Sequence, residues 1–172
     1  MAKLLCALLL FTACTLFGAM QSERLKRRLR ALKSMKRDIS HFQIKMEFSA
    51  MPVLDVLAHA DSWETKGFWD KLEDSLSCNP DSFSAAWREA LDQMCRNDMG
   101  FAALSADEKN ALNTTSEAIG VHDMASQKKA MELALLQLGE LIEKLGAVCE
   151  KKSKLYCSIG MLCGAAAAIL IW

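Results

Sequence analysis

Histidine and acidic side chains, from which proteins build metal and acid–base sites, are scattered along this sequence. Asp55 and His59 lie four residues apart, a spacing that would place a carboxylate and an imidazole on one face of a helix. The other histidines, His41 and His122, fall on separate predicted elements. Because no third ligand lies near the pair, we expect no metal site. His122 with Asp123 at a predicted helix start indicates helix capping rather than catalysis.

The seven cysteines predict neither a zinc site nor a disulfide framework. Their number is odd, no CxxC pair occurs among them, and four of the seven lie in the apolar ends of the chain. No phosphate-binding loop, nucleophile elbow or paired-carboxylate pattern is present. We therefore expect a protein that is not an enzyme and that uses no cofactor. A membrane-bound enzyme remains a disfavoured alternative.

The charged residues lie between two uncharged ends. Leu4 to Met20 and Leu155 to Trp172 carry no charge, although the chain has 21 Lys and Arg and 21 Asp and Glu. A helix needs about 20 apolar residues to cross a bilayer, and about 17 at the least. We therefore expect transmembrane anchors at residues 1–21 and 155–172, around a cytoplasmic helical domain at residues 22–154.

The first apolar segment has an alternative interpretation as a cleaved signal peptide. It is short, it follows the single Lys3, and Phe11 to Cys14 is weakly similar to a lipoprotein cleavage box. The product would then be a secreted or lipid-anchored helical protein. Signal peptides carry their positive charge before the apolar run, whereas here the larger cationic block follows it. A retained anchor is therefore the favoured interpretation.

Basic residues border both uncharged ends on their inner side, where Lys and Arg favour cytoplasmic placement in a cell membrane. These membrane-proximal residues are Arg24, Lys26, Arg27, Arg28, Arg30, Lys151, Lys152 and Lys154. The basic block that ends at Arg37 contains no interleaved aromatic residues, so it indicates a membrane surface rather than nucleic acid. We expect no nucleic-acid partner.

Small residues line one side of the second uncharged segment. Gly160 and Gly164 are four residues apart, and Ala168 continues the row. Such a row lets the backbones of membrane helices approach closely, which predicts a packing face and allows a homo-oligomer. The alternative is that glycine and alanine only fill a weakly apolar span, since GxxxG also arises by chance.

Two long amphipathic helices are predicted in the middle of the chain. Apolar residues recur every three or four positions from Leu25 to Met46, and again from Met131 to Cys149 in a helix that begins near His122. Both helices adjoin the apolar ends, so they should run antiparallel with their apolar stripes facing each other. The predicted fold class is an all-α bundle, because no strand alternation of useful length occurs.

Shorter helices are predicted between the two long ones. Pro52 suits a first helical turn, Phe68 to Leu76 form a short apolar face, and Ser82 could cap the next helix. Ser105 and Glu108 have the spacing of a capping box for a helix that Gly120 closes. Core positions are also expected for three tryptophans, Trp63, Trp69 and Trp87.

Several short motifs follow one another in a fixed order. They are Lys3-Leu4-Leu5, Pro52-Val53, Ala86-Trp87-Arg88-Glu89-Ala90-Leu91, Gly120-Val121-His122-Asp123, Ser126-Gln127-Lys128-Lys129, Leu133-Ala134-Leu135, Lys154-Leu155-Tyr156, Ser158-Ile159-Gly160 and Leu162-Cys163-Gly164. In this order the chain resembles the stage III sporulation protein AB family over essentially its whole length. The residues that carry the family's central motif are Gly120, Asp123, Ser126, Gln127 and Lys129.

The resemblance implies a component of the channel-like apparatus that a mother cell builds against the engulfed forespore. The family's cytoplasmic domain is similar to the helical domains of the type II secretion and pilus platform protein, which sits beside an ATPase. The implied partners are therefore the stage III sporulation protein AA ATPase and other proteins of the same apparatus. Two positions depart from the family: Leu25 replaces a proline after the Glu23-Arg24 pair, and Lys45 replaces an acidic residue.

Overall fold

The computed structural model describes residues 2–49, 63–78, 82–119 and 124–171, and every element in these ranges is a helix. In chain order the helices are α1 (Ala2–Ser49), α2 (Trp63–Cys78), α3 (Phe83–Asn97), α4 (Met99–Ala102), α5 (Ala106–Ile119) and α6 (Met124–Ile171). The all-α prediction is confirmed for the described part of the chain. The element predicted at Pro52 lies outside the described residues.

The helices divide between two compact units. We call Met1–Arg27 with Leu145–Trp172 the terminal unit, and Arg28–Lys144 the central unit. Both long helices contribute to each unit, since neither α1 nor α6 is interrupted by a proline. Among the described residues, no helix is apolar over a stretch long enough to span a bilayer.

The core of the central unit forms where the sequence pattern predicts apolar faces. On α1, Leu32, Met35 and Ile39 have no exposed surface, and on α6 the same holds for Leu138. Because the buried residues recur every three or four positions, one side of each helix is buried within the central unit. The apolar stripes predicted for the two long helices are therefore confirmed at these positions.

Aromatic side chains fill the space between α2 and α3. Phe68 packs edge-on against Trp69 and Trp87, with ring centroids 5.1 and 4.8 Å apart. Such edge-to-face pairs add stability beyond the area they bury. Trp69 and Trp87 lie in the core as predicted, whereas the side chain of Trp63 lies outside the described residues.

Hydrogen bonds between residues that are close in the chain determine where helices of the central unit begin. The capping box is confirmed: the Ser105 backbone N–H donates to Glu108 Oε2 at 2.8 Å, and the Glu108 N–H donates to Ser105 Oγ at 3.3 Å. Ser82 is the N-cap residue of α3, as predicted, but its side chain makes no capping hydrogen bond, and its backbone carbonyl accepts from the Ala86 N–H. α4 was not predicted. It forms because the Asp98 carboxylate accepts from the Gly100 and Phe101 N–H groups.

Candidate functional site

Glycines bring the backbones of α1 and α6 into contact in the terminal unit. A Cβ at Gly18 would lie 2.5 Å from the carbonyl oxygen of Tyr156, and a Cβ at Gly160 would lie 2.9 Å from that of Cys14. A Cβ at Gly164 would lie 2.9 Å from Cδ2 of Phe11. At Gly18 and Gly160 the obstructing atoms are backbone, which cannot move aside. The contact therefore requires glycine on both helices.

The contacts also give the direction of the two helices. Positions 11, 14 and 18 of α1 meet positions 164, 160 and 156 of α6, so the helices are antiparallel in this unit. We call this contact, which joins Phe11, Cys14 and Gly18 to Tyr156, Gly160 and Gly164, the glycine seam. Further along the seam, the hydroxyls of Ser22 and Ser153 form a hydrogen bond, and both serines are buried. The bond satisfies both polar groups where water does not reach them.

The outer surface of the terminal unit has the opposite character. Its large apolar side chains point away from the seam, and those at least 45% exposed are Leu8, Leu9, Leu16, Phe17, Met20, Leu155, Ile159, Met161 and Leu162. Pairs of membrane helices have small residues where the helices touch and large apolar residues on the outside. Lipid solvates the outer side chains, and the close approach of the backbones holds the pair together.

Two of the predicted packing residues, Gly160 and Gly164, lie on this seam, together with Gly18, which was not predicted to pack there. Gly160 and Gly164 are buried, and the side chain of Ala168 lies outside the described residues. Gly18 was missed as a packing residue. The signal was present, because Cys14, Gly18 and Ser22 form a row of small residues four positions apart, the same pattern that predicted the face on α6.

The eight predicted membrane-proximal basic residues do not share one environment. Arg24, Lys26, Arg27, Arg30, Lys151, Lys152 and Lys154 are exposed. Two of these make exposed pairs within their own helices: Arg27 with Glu23 at 3.5 Å and Lys154 with Glu150 at 3.4 Å. Arg28 instead belongs to the central unit, where it pairs with the buried carboxylate of Glu108. The charge of Arg28 therefore balances that of Glu108 inside the central unit.

A second buried carboxylate joins α2 to α1 in the central unit. Asp38 is 7% exposed, and its Oδ2 accepts hydrogen bonds from the Thr65 hydroxyl and, at 3.0 Å, from Trp69 Nε1. One turn before Asp38, the Ser34 hydroxyl donates to Glu64 at 3.0 Å. The sequence offered no signal for Asp38, since its burial depends on partners that are distant along the chain.

The described part of the family motif shows a structural role for its glutamine. Gln127 Nε2 donates to the carbonyl oxygen of Ile119 at 2.6 Å, so the motif ties the start of α6 to the end of α5. Ser126 and Lys129 are exposed. Gly120 and Asp123 lie outside the described residues.

Candidate ligand groups do not converge in the described part of the chain. No group of three or more His, Cys, Asp or Glu side chains there could hold a metal ion. Asp55, His59 and His122 lie outside the described residues, so the expectation of no metal site stays a prediction. Cys14, Cys95, Cys149 and Cys163 are free thiols.

Known proteins resemble this chain over most of its length. The family model for stage III sporulation protein AB matches residues 3–172. The stage III sporulation protein AB of Bacillus subtilis (strain 168) is 28% identical over 178 residues, which cover 99% of each chain. A solved structure of a stage III sporulation protein AB has a TM-score of 0.61 at 20% identity and covers 72% of this chain and 97% of its own. That structure supports the fold.

Proposed function

Because this chain belongs to the stage III sporulation protein AB family, and so has a role in sporulation, we propose that it is a non-enzymatic membrane platform. In this proposal the terminal unit anchors the protein in the mother-cell membrane that faces the forespore. The central unit lies in the cytoplasm and docks the stage III sporulation protein AA ATPase to a channel-like, secretion-like apparatus. The anchors are residues 1–21 and 155–172, around a cytoplasmic domain at residues 22–154.

One observation carries the membrane placement. The terminal unit closes on glycine, with Gly18 and Gly160 in backbone contact, and it exposes large apolar side chains such as Phe17 and Leu162. In water this arrangement would be costly, because each exposed apolar side chain forgoes roughly 1.5–3 kcal/mol of burial. In lipid the same side chains are solvated. The two uncharged segments, residues 4–20 and 155–172, also include residues whose side chains the structure does not describe.

The placement is tested with a reporter cysteine in the central unit. Asn110 is exposed on α5, so Asn110→Cys in a chain without its natural cysteines should react with a membrane-impermeant maleimide only after cell lysis. The protein should also stay in the pellet after alkaline carbonate extraction. Labelling in intact cells would overturn the cytoplasmic placement, and release by carbonate would overturn the anchors.

The family resemblance and the described bundle support the platform role. Of the polar groups in the bundle, the buried carboxylates Asp38 and Glu108 act as braces between helices, as suits a rigid support. Tagged protein purified from sporulating cells should bring down the stage III sporulation protein AA ATPase, whereas an unrelated tagged membrane protein should not. Recovery of the other membrane proteins of the apparatus without the ATPase would contradict the docking role.

The first helix also bears on the alternative of a secreted or lipid-anchored product. Phe11 of α1 lies against Gly164 of α6, and cleavage before Cys14 would remove that part of the contact between the two helices. This contact favours retention of the first segment. Mass spectrometry of the N-terminus is the direct test, because a start at Met1 or Ala2 excludes cleavage and a start at Cys14 establishes it.

A further inference from the structure

Three cations of the terminal unit lie at one level, just beyond the hydrogen bond between Ser22 and Ser153. Because α1 and α6 are antiparallel there, residues that follow Ser22 and residues that precede Ser153 extend in the same direction. Arg24 follows Ser22 by two positions, and Lys151 and Lys152 precede Ser153 by two and by one. At 1.5 Å per residue, the three therefore branch from the backbone within about 3 Å of the serine pair along the helix axes. We call these three residues the cationic border.

Neighbouring acidic residues do not neutralise the cationic border. The nearest acids along the chain are Glu23 and Glu150, and each pairs with another cation of its own helix, Arg27 at 3.5 Å and Lys154 at 3.4 Å. The three residues of the border are exposed. Within the described ranges, none of them takes part in an ion pair or a side-chain hydrogen bond. The border therefore presents three positive charges to the surroundings of the protein.

On both helices the border is followed by exposed apolar surface. On α6, Leu155 lies four residues after Lys151, and on α1, Met20 and Phe17 lie four and seven residues before Arg24. Residues at these spacings lie on the same side of a helix. The three apolar side chains are between 53% and 70% exposed. Each helix thus places a positive charge one turn from a large apolar side chain, on the same side.

We propose that the cationic border binds the headgroups of anionic phospholipids, whose acyl chains lie along the outward-facing apolar side chains of the terminal unit. This inference rests on the membrane anchor proposed above and adds to it a preference among lipids. Exposed lysine and arginine beside a membrane attract anionic headgroups. The planar guanidinium of Arg24 can in addition donate two hydrogen bonds to one phosphate. The acyl chains of the same lipid would continue past Met20 and Leu155.

The apolar side chains favour a lipid over a soluble phosphate compound. A soluble phosphate ester would be attracted by the three charges but would gain nothing from Met20 or Leu155, whereas a phospholipid interacts with both. The preference also differs from the effect of basic residues on orientation. Lysine and arginine hold a loop in the cytoplasm during insertion without selecting a lipid, whereas a bound headgroup enriches anionic lipid around the inserted protein.

The test measures the lipid selectivity of the full-length protein reconstituted into phosphatidylcholine bilayers. Trace amounts of spin-labelled phosphatidylglycerol or spin-labelled phosphatidylcholine are added, and electron paramagnetic resonance gives the fraction of each lipid that the protein immobilises. At low salt, phosphatidylglycerol should associate with the protein at least about threefold more strongly than phosphatidylcholine. In about 1 M salt this ratio should approach one, because the Debye length falls to about 3 Å.

The border variant is Arg24→Gln/Lys151→Gln/Lys152→Gln, in which the ratio should fall below about 1.5. The matched control, Lys66→Gln/Arg96→Gln/Lys129→Gln, removes one arginine and two lysines from exposed positions of the central unit. Its ratio should stay that of the parent. The charge-conserving variant Arg24→Lys/Lys151→Arg/Lys152→Arg should also keep the preference, which shows that the border variant loses selectivity through its charge.

Several outcomes would overturn the inference. These are equal association of the two lipids with the parent protein, unchanged selectivity in the border variant, or an equal loss in the border variant and the control. The proposed anchor would survive each of them, since both lipids would still be immobilised and the protein would still resist carbonate extraction. If neither lipid were immobilised, both proposals would fail. Displacement of spin-labelled phosphatidylglycerol by an excess of soluble glycerol phosphate would assign the border to a soluble phosphate compound instead.

Discussion

Arg28 and Glu108, which are 80 residues apart in the chain, form an ion pair with two parallel hydrogen bonds. Arg28 Nε lies 2.8 Å from Oε2 of Glu108, and Nη2 lies 2.8 Å from Oε1. The same carboxylate accepts the Ser105 N–H in the capping box of α5. One buried side chain thus caps a helix and binds that helix end to α1. The planar guanidinium fits this geometry, which a lysine could not reproduce.

Replacement of Arg28 by alanine should destabilise the central unit, because it leaves the Glu108 carboxylate, 4% exposed, without its counter-charge. We expect the free energy of unfolding to fall by about 2 kcal/mol, below the usual 3–5 kcal/mol for a fully buried pair because Arg28 is 24% exposed. Arg27→Ala is the matched control, since its exposed pair with Glu23 should contribute under about 0.5 kcal/mol. Equal thermal denaturation of the two variants, followed by circular dichroism, would contradict the bracing role.

Asp38→Ala should be at least as disruptive. The change leaves the Trp69 indole N–H without its acceptor in the core and removes the hydrogen bond from the Thr65 hydroxyl, at an expected cost of about 3 kcal/mol. Asp70, which follows Trp69 on α2 and is exposed, provides the control. Asp70→Ala should stay within about 0.5 kcal/mol of the parent. If chemical denaturation gave the two alanine variants the same stability, Asp38 would not be the link between α1 and α2.

Helices could be predicted from this sequence far better than the contacts between them. The stripe that includes Leu32, Met35 and Ile39 repeats every three or four residues, so period alone identifies α1 and its buried face. The capping box of α5 is equally local. α4 was missed because four residues give no period, and its existence depends on the Asp98 carboxylate turning back onto two N–H groups.

Of the contacts that build the candidate site, only the residues on α6 could be predicted from the sequence. The spacing of Gly160 and Gly164 indicates a face on α6, but it does not identify the residues of α1 that they meet, which are Cys14 and Gly18 for Gly160 and Phe11 for Gly164, since antiparallel register is a tertiary property. The burial of Asp38 and Glu108 could not be predicted for a similar reason. Carboxylates are rarely buried, and the side-chain donors that make burial tolerable here come from other helices.

The thiol of Cys95 should react slowly with alkylating reagents near neutral pH. Burial raises the pKa of Cys95, and the opposing charge and hydrogen bond of Lys109 are weaker influences. A raised pKa means less thiolate, the reactive form, at a given pH. With Cys95 as the sole cysteine, the rate of maleimide labelling should rise with pH, and it should do so at a higher pH than for a sole, exposed cysteine in Asn110→Cys.

Because Lys109 favours the thiolate of Cys95, Lys109→Met should raise the pKa of Cys95 further and slow the reaction. Faster labelling in that variant would show that the burial, and not the charge balance, had been altered.

The glycine seam makes the sharpest prediction, because α6 contains its own control. Gly160→Ala places a methyl 2.9 Å from a backbone oxygen, whereas Gly146→Ala meets nothing within 4 Å. The first should therefore lower thermal stability and the second should raise it slightly, since alanine favours helix over glycine by up to about 1 kcal/mol.

A disulfide between Ser22→Cys and Ser153→Cys, in a chain otherwise free of cysteine, reports whether the seam is closed. Gly160→Ile/Gly164→Ile should abolish that disulfide, keep the central unit helical and weaken co-purification with membrane partners. The packing face would be refuted by normal cross-linking and normal recovery of those partners in the double variant.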